Sequence, residues 1–206
     1  MPTPARDHPV YLTSPRQIRT LRSVVRQQIV DVVGVIGPCT VAELADALGR
    51  SADGLYFHVK QLLAVGLLHV ADPADSAHLR GQQVDVPGRP LFIHYDLSSP
   101  RARDAIATVA ASMLRTASRQ FQRALARSDA VGTGNRRNLW STRIQAQLTE
   151  QDREQLNAIL QTLITFMATR PRKQHGTMHA LTFTVSPVQV SPRAGRTART
   201  RERQRK

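Results

Sequence analysis

Residues 48–70 read LGRSADGLYFHVKQLLAVGLLHV, and whether the helix inside them turns inward or outward decides the fold. Ala52, Leu55, Val59, Leu62 and Leu63 share one face of a helix that opens near Ser51, so that face belongs to a core. Asp53, Phe57 and Lys60 fall roughly opposite, with Tyr56 on a flank. A core helix keeps its bulky residues on one side; this one carries them on both. A phenylalanine and a tyrosine so close together are unfavourable on a free surface, and are accounted for if the helix lies against another molecule.

Working upstream, Thr40 caps a short helix, VAELADAL, whose Val41, Leu44, Ala45 and Leu48 point one way. Gly49 then turns the chain into the Ser51 helix. A longer helix precedes both. Ser14 and Pro15 open it, and "GPC" at 37–39 ends it. Its Ile18, Leu21, Val25, Ile29, Val32 and Ile36 form a single stripe at ~100° per residue. Arg16, Arg19, Arg22 and Arg26 gather on an adjoining face, which is either a solvated side or a phosphate contact. Two helices joined by a tight glycine turn, after a longer first helix, make a helix-turn-helix pattern.

Downstream of Gly66, "LLHVA" and "PLFIHYDLS" (90–98) read as two strands, with a turn-rich connection containing Pro73, Gly81, Pro87 and Gly88. Strands with a long exposed connection form a wing, and Arg80 and Arg89 are its outward-reaching cations. Asp72, Asp75 and Asp85 oppose them, so the wing is neutral or acidic overall.

The composition favours a polyanionic partner. The 206 residues hold 29 Lys+Arg against 15 Asp+Glu, a formal net charge of +14. The stretch from Arg193 onward, RAGRTARTRERQRK, supplies +6 of that, as seven cations and one anion. It reads as a disordered basic tail that either adds a sequence-independent DNA contact or solubilises the end. Cys39 stands alone, which excludes an intramolecular disulfide and a thiolate metal site. It reads as a small buried residue, with a redox role the lesser alternative. His58 sits at the edge of the core face, read first as a histidine bonded between helices and second as a DNA contact. No spacing of the histidines suggests a metal set. Neither a signal peptide nor a stretch of spanning length is present, so the chain is expected to be cytoplasmic, with no membrane partner. The acidic residues are scattered and no nucleophile motif occurs, so no enzyme is expected and no cofactor is called for. SDAVGTGNRR (128–137) lacks the glycine spacing and Gly-Lys-Ser/Thr ending of a phosphate loop.

Residues 101–128 are expected to be a long helix striped by Ile106, Val109, Met113, Ala117 and Phe121, with alanines that allow close helix approach. WSTRIQAQL (140–148) alternates like a strand. Thr149 and Asp152 make a capping box opening a helix to about Arg170, with a seam of Leu156, Leu160, Leu163 and Met167. HALTFTVSP alternates again, giving a strand-helix-strand module over 140–187.

Residues 40–70, TVAELADALGRSADGLYFHVKQLLAVGLLHV, resemble the winged helix-turn-helix of ArsR-like bacterial transcription regulators. The elements that carry the likeness are Ala47, Ser51, the run Tyr56-Phe57-His58-Val59, Leu62 and Gly66-Leu67, and it extends over about 15–98. The resemblance implies dimeric, sequence-specific DNA binding that controls transcription. The metal-sensing cysteine pairs of that family are missing here, and whether a small-molecule effector binds is left open.

The expected fold is therefore mainly α with a small β wing, a winged helix-turn-helix domain followed by a largely helical C-terminal region. The expected division is a flexible arm (1–14), the winged domain (15–98), a helical dimerisation or effector region with one or two strands (99–192) and the basic tail (193–206). Double-stranded DNA and a second copy of the chain are the expected partners, with the helix over 51–65 in the major groove. Asp53, Tyr56, Phe57 and Lys60 would meet the groove and Arg50 and Ser51 a phosphate, with Arg80 and Arg89 the residues of the wing that would reach DNA. Asp53 is either a cytosine acceptor or a stabiliser of its own helix N-terminus. The competing readings are a winged-helix protein-interaction module and a non-specific nucleoid-type DNA-binding protein.

Overall fold

The computed structural model describes residues 8–72, 79, 81–170 and 176–189. Its elements are β1 (Val10–Leu12), α1 (Pro15–Thr20), α2 (Val24–Ile36), α3 (Val41–Leu48), α4 (Ala52–Leu63), β2 (His69–Val70), β3 (Val84–Asp85), β4 (Leu91–Ile93), α5 (Pro100–Leu125) and α6 (Glu150–Ala168). The fold is mainly helical, with an N-terminal helix-turn-helix unit, short strands beside it and helices after it.

The core lies where α2, α3 and α4 meet, around Ile29, Val33, Val41, Leu44, Leu55, Val59 and Leu62, all essentially sealed from solvent. Burying each of the α4 side chains is worth about 1.5–3 kcal/mol. Leu67, Leu68, Val84 and Val86 close the core from the wing side.

The single first helix expected over 15–36 is broken. Its apolar stripe survives, but Leu21–Ser23 leave the helical path and turn α1 against α2. Side chains from elsewhere satisfy the carbonyls freed at the break. Gln27 Nε2 donates to Leu21 O at 2.6 Å, Arg26 Nε to Thr20 O, and Ser112 Oγ of α5 to Arg22 O at 3.3 Å. Gln17 of α1 in turn donates to Val65 O at 3.0 Å, tying α1 to the end of α4.

The loose arm expected at the N-terminus is, from His8 on, part of the folded unit. β1 pairs in parallel with β4, Val10 opposite Leu91 and Leu12 opposite Ile93, and Leu12 is buried. Residues 1–7 lie outside the described residues. The wing also pairs differently from expectation. β2 takes β3 as its antiparallel partner, His69 opposite Asp85 and Val70 opposite Val84, while the 90–98 segment goes to β1. Val84 bridges on its other side to Cys39, whose amide donates to Val84 O at 3.1 Å and whose carbonyl accepts from Val84 N at 2.8 Å. Cys39 is thereby buried at the mouth of the α2–α3 turn.

α5 runs as expected from its Ser99 cap and Pro100. Ala105, Ile106, Val109, Ser112 and Thr116 are buried, so the contact face includes two polar positions and leaves Met113 outside. α6 opens on the expected capping box, Thr149 Oγ1 accepting from Asp152 N at 3.2 Å and Asp152 Oδ2 from Thr149 N at 2.8 Å. The strands expected on either side of it are not formed: 138–148 and 177–189 are irregular backbone.

Candidate nucleic-acid interface

The unit that faces outward is the turn between α3 and α4. α3 is fixed at its start by Thr40 and Glu43, whose side chains each accept from the other's backbone amide. At its end Gly49 adopts φ +61°, and the amides of Gly49 and Arg50 return to Asp46 O (3.2 Å) and Ala45 O (3.0 Å). A left-handed residue here suits glycine. This tight exit sets Ser51 at the start of α4, where its hydroxyl makes no capping bond to the helix. The first amides of α4 and that hydroxyl therefore face outward together, with the positive end of the helix dipole behind them.

Along α4, Leu55, Val59 and Leu62 are buried while Asp53, Phe57 and Lys60 are exposed on the opposite side. Phe57 is 62% exposed, and its ring stands edge-on to His58 with centroids 5.6 Å apart. Tyr56 is half-buried and packs against the core margin, so the structure turns it further inward than Phe57.

Between α2 and the start of α4 lies an open cleft of about 280 Å³ lined by Val25, Arg50, Ser51, Gly54, Leu55 and His58. Arg50 leans over its rim, Nη2 donating to Gln28 Oε1 at 3.2 Å. His58 Nδ1 is buried and has no hydrogen-bond partner among the described residues. Burial, and then the nearby cations Arg26 and Arg50, hold its pKa below the usual 6.5. The cleft therefore offers a cation and a hydroxyl at the start of α4, a pair suited to an anionic oxygen, beside an imidazole that burial keeps toward its neutral form. Sequence reasoning found Arg50, Ser51 and His58 but not Val25, Gly54 or Gln28, because the cleft exists only once α2 lies beside α4.

The wing cations fare differently. Arg80 lies outside the described residues, as do Asp75, His78 and the tail 193–206. Arg89 does not reach outward. Its guanidinium is paired with Asp85 at 2.5 Å, the two side chains 11% and 3% exposed, and it also donates to Val33 O at 3.3 Å. The expected DNA contact is thus replaced by a buried tie between the wing and the C-terminal end of α2. A cation there is favoured by the helix dipole as well as by Asp85. Gly37 makes room for the pair: a Cβ at that position would meet Val33 O at 2.6 Å and Asp85 Oδ1 at 2.9 Å.

Of the arginines on the face adjoining the first-helix stripe, Arg16 and Arg22 are exposed, while Arg19 and Arg26 are half-buried beside the α1–α2 break. Among the described residues, no helix is long and apolar enough to cross a membrane. No curated protein matches the chain. A family model described as a helix-turn-helix domain does match, over residues 25–71, from the start of α2 to the end of β2. That stretch contains every structural part of the outward-facing turn, and the chain carries a helix-turn-helix domain of the kind found in DNA-binding regulators.

Proposed function

We propose that the protein is a dimeric, ArsR-like transcription regulator that reads double-stranded DNA with α4 in the major groove. The observation that carries this reading is the exposure of Phe57, Lys60 and Asp53 on the one face of α4 that the core leaves free. In a groove, Phe57 would touch thymine methyls and sugars, and Lys60 a guanine edge or a phosphate. Asp53 would accept from a cytosine amine or hold the helix N-terminus. Tyr56, on the flank, contributes its ring edge. A phosphate fits the start of α4, against Ser51 Oγ, the free amides and Arg50. Two copies place two α4 helices about 34 Å apart, one turn of duplex, and so call for a pseudo-palindromic site. The open apolar side of α5 supports a contact between copies.

Lys60→Glu tests the reading directly. Lys60 is exposed, so the substitution leaves the fold and its melting transition intact. Duplex affinity measured by fluorescence anisotropy is expected to fall by about tenfold or more, because an attractive contact becomes a repulsive one. An unchanged affinity would contradict the placement of α4, and retained binding to a protein partner would favour a docking module.

A further inference from the structure

α5 has two apolar sides, and the fold uses one. Ala105, Val109, Ser112 and Thr116 are buried, while Met113, Leu114, Ala117, Phe121 and Leu125 fall on a second stripe. Met113, Leu114 and Leu125 are each more than 40% exposed. The stripe is flanked by Ala111, Ser118, Gln120 and Gln122, small or uncharged residues that let another helix approach.

α6 is the complementary case. None of its 19 residues is buried, although Leu156, Leu160, Leu163 and Met167 follow the alternating four-three-four spacing of a helix-pairing seam. Most helical stability in proteins comes from packing an apolar face, so a helix with no buried residue calls for cover. The irregular segments on either side repeat the pattern. Their backbone makes no backbone hydrogen bond to another described residue over 139–148 and 177–189. Trp140 and Ile144 are 69% and 82% exposed.

Twenty large apolar side chains stand exposed among the described residues, and fifteen of them lie between Met113 and Val188. Roughly half exposed, they offer on the order of 1,000 Å² of apolar surface per chain, above the ~800 Å² per partner that a stable interface buries. The chain carries both halves of the contact, a stripe and a seam whose residues are half-buried or exposed, and among the described residues α5 and α6 do not pack substantially on each other. A twofold axis satisfies both halves twice with one kind of contact.

From this we propose that the occupant of the α5 stripe is the C-terminal arm of a second copy: α6 and its flanking segments cross between subunits, so that the two arms are exchanged. The proposal rests on the dimeric reading above and specifies how the dimer is built.

Two substitutions test it, Phe121→Asp on the stripe and Leu160→Asp on the seam. Neither side chain belongs to the buried core, so both variants keep the helix-turn-helix unit folded. Light scattering after size exclusion is expected to give the wild-type chain twice its 22.9 kDa and each variant alone the mass of one chain. An equimolar mixture of the two variants is expected to recover dimer. In that heterodimer the intact seam of the Phe121→Asp chain meets the intact stripe of the Leu160→Asp chain. A mixture that stays at one-chain mass, or variants that dimerise like the wild type, would overturn the exchange while leaving a dimeric regulator standing. A monomeric wild type would remove both.

Discussion

Arg50 and Arg89 both sit beside a turn in a basic chain, yet one leans over an open cleft and the other is sealed into the wing. The difference is made by their surroundings. Arg50 is exposed and, among the described residues, donates only to Gln28, so it keeps donors for an anion. Arg89 is committed to Asp85 and to the carbonyl end of α2. Arg89→Ala would take the cation from a buried carboxylate, which keeps its bond from Val86 N, and removal of one partner from such a pair costs about 3–5 kcal/mol. Urea unfolding is expected to show a loss of that order, with duplex affinity of the folded protein unchanged. A loss under about 1 kcal/mol would mean that the pair behaves as a surface contact. His58 gives the pH dependence. Its folded pKa lies below 6.5, so the unfolded chain takes up the proton first as pH falls. Its contribution to stability is whole above 6.5 and is lost as pH drops from there through the lowered folded value. Melts from about pH 8 to pH 5 should therefore diverge between the wild type and His58→Gln only on the acid side. Parallel curves would show that the imidazole titrates freely.

At the level of elements, the break between α1 and α2 depends on side chains from two helices, α2 and α5. Gln27 is buried with its amide on Leu21 O, and Gln27→Leu keeps the volume while removing that donor. An unsatisfied buried carbonyl costs about 1–3 kcal/mol, and the substitution is expected to lower stability by that amount in denaturant unfolding. No change would mean that water reaches the carbonyl. This break also shows why part of the fold was hidden in the sequence. LRSVVR contains no proline or glycine, and the groups that make the bend affordable sit up to 90 residues away, as Ser112 does. β1 was hidden for a similar reason: prolines surround it and its partner strand lies some eighty residues on. In the wing, VDV between turn residues is too short to announce a strand, though Val84 joins Cys39 to Val70. The α3–α4 unit was legible because its signals are local: the Thr40–Glu43 box, Gly49, and leucines at helical spacing. Asp53, Phe57 and Lys60 were legible as an outward face on the same grounds, whereas the cleft beside them and the burial of Arg89 depend on tertiary contacts.

On the scale of the whole molecule, a helix-turn-helix unit with a free aromatic and basic face is joined to a C-terminal region whose apolar side chains remain outside. The first feature supports reading of DNA, and the second supports assembly of two readers. Together they call for a site with twofold symmetry and a fixed spacing. The most direct measurement is selection of random-sequence duplexes by the purified full-length protein at about 150 mM salt, where screening limits contacts made through charge alone. Sequencing of the bound pool is expected to show an enriched two-fold motif with half-sites about 10 base pairs apart, centre to centre. Binding with no enriched motif would contradict the account and assign the affinity to net basic charge, and so would the absence of binding.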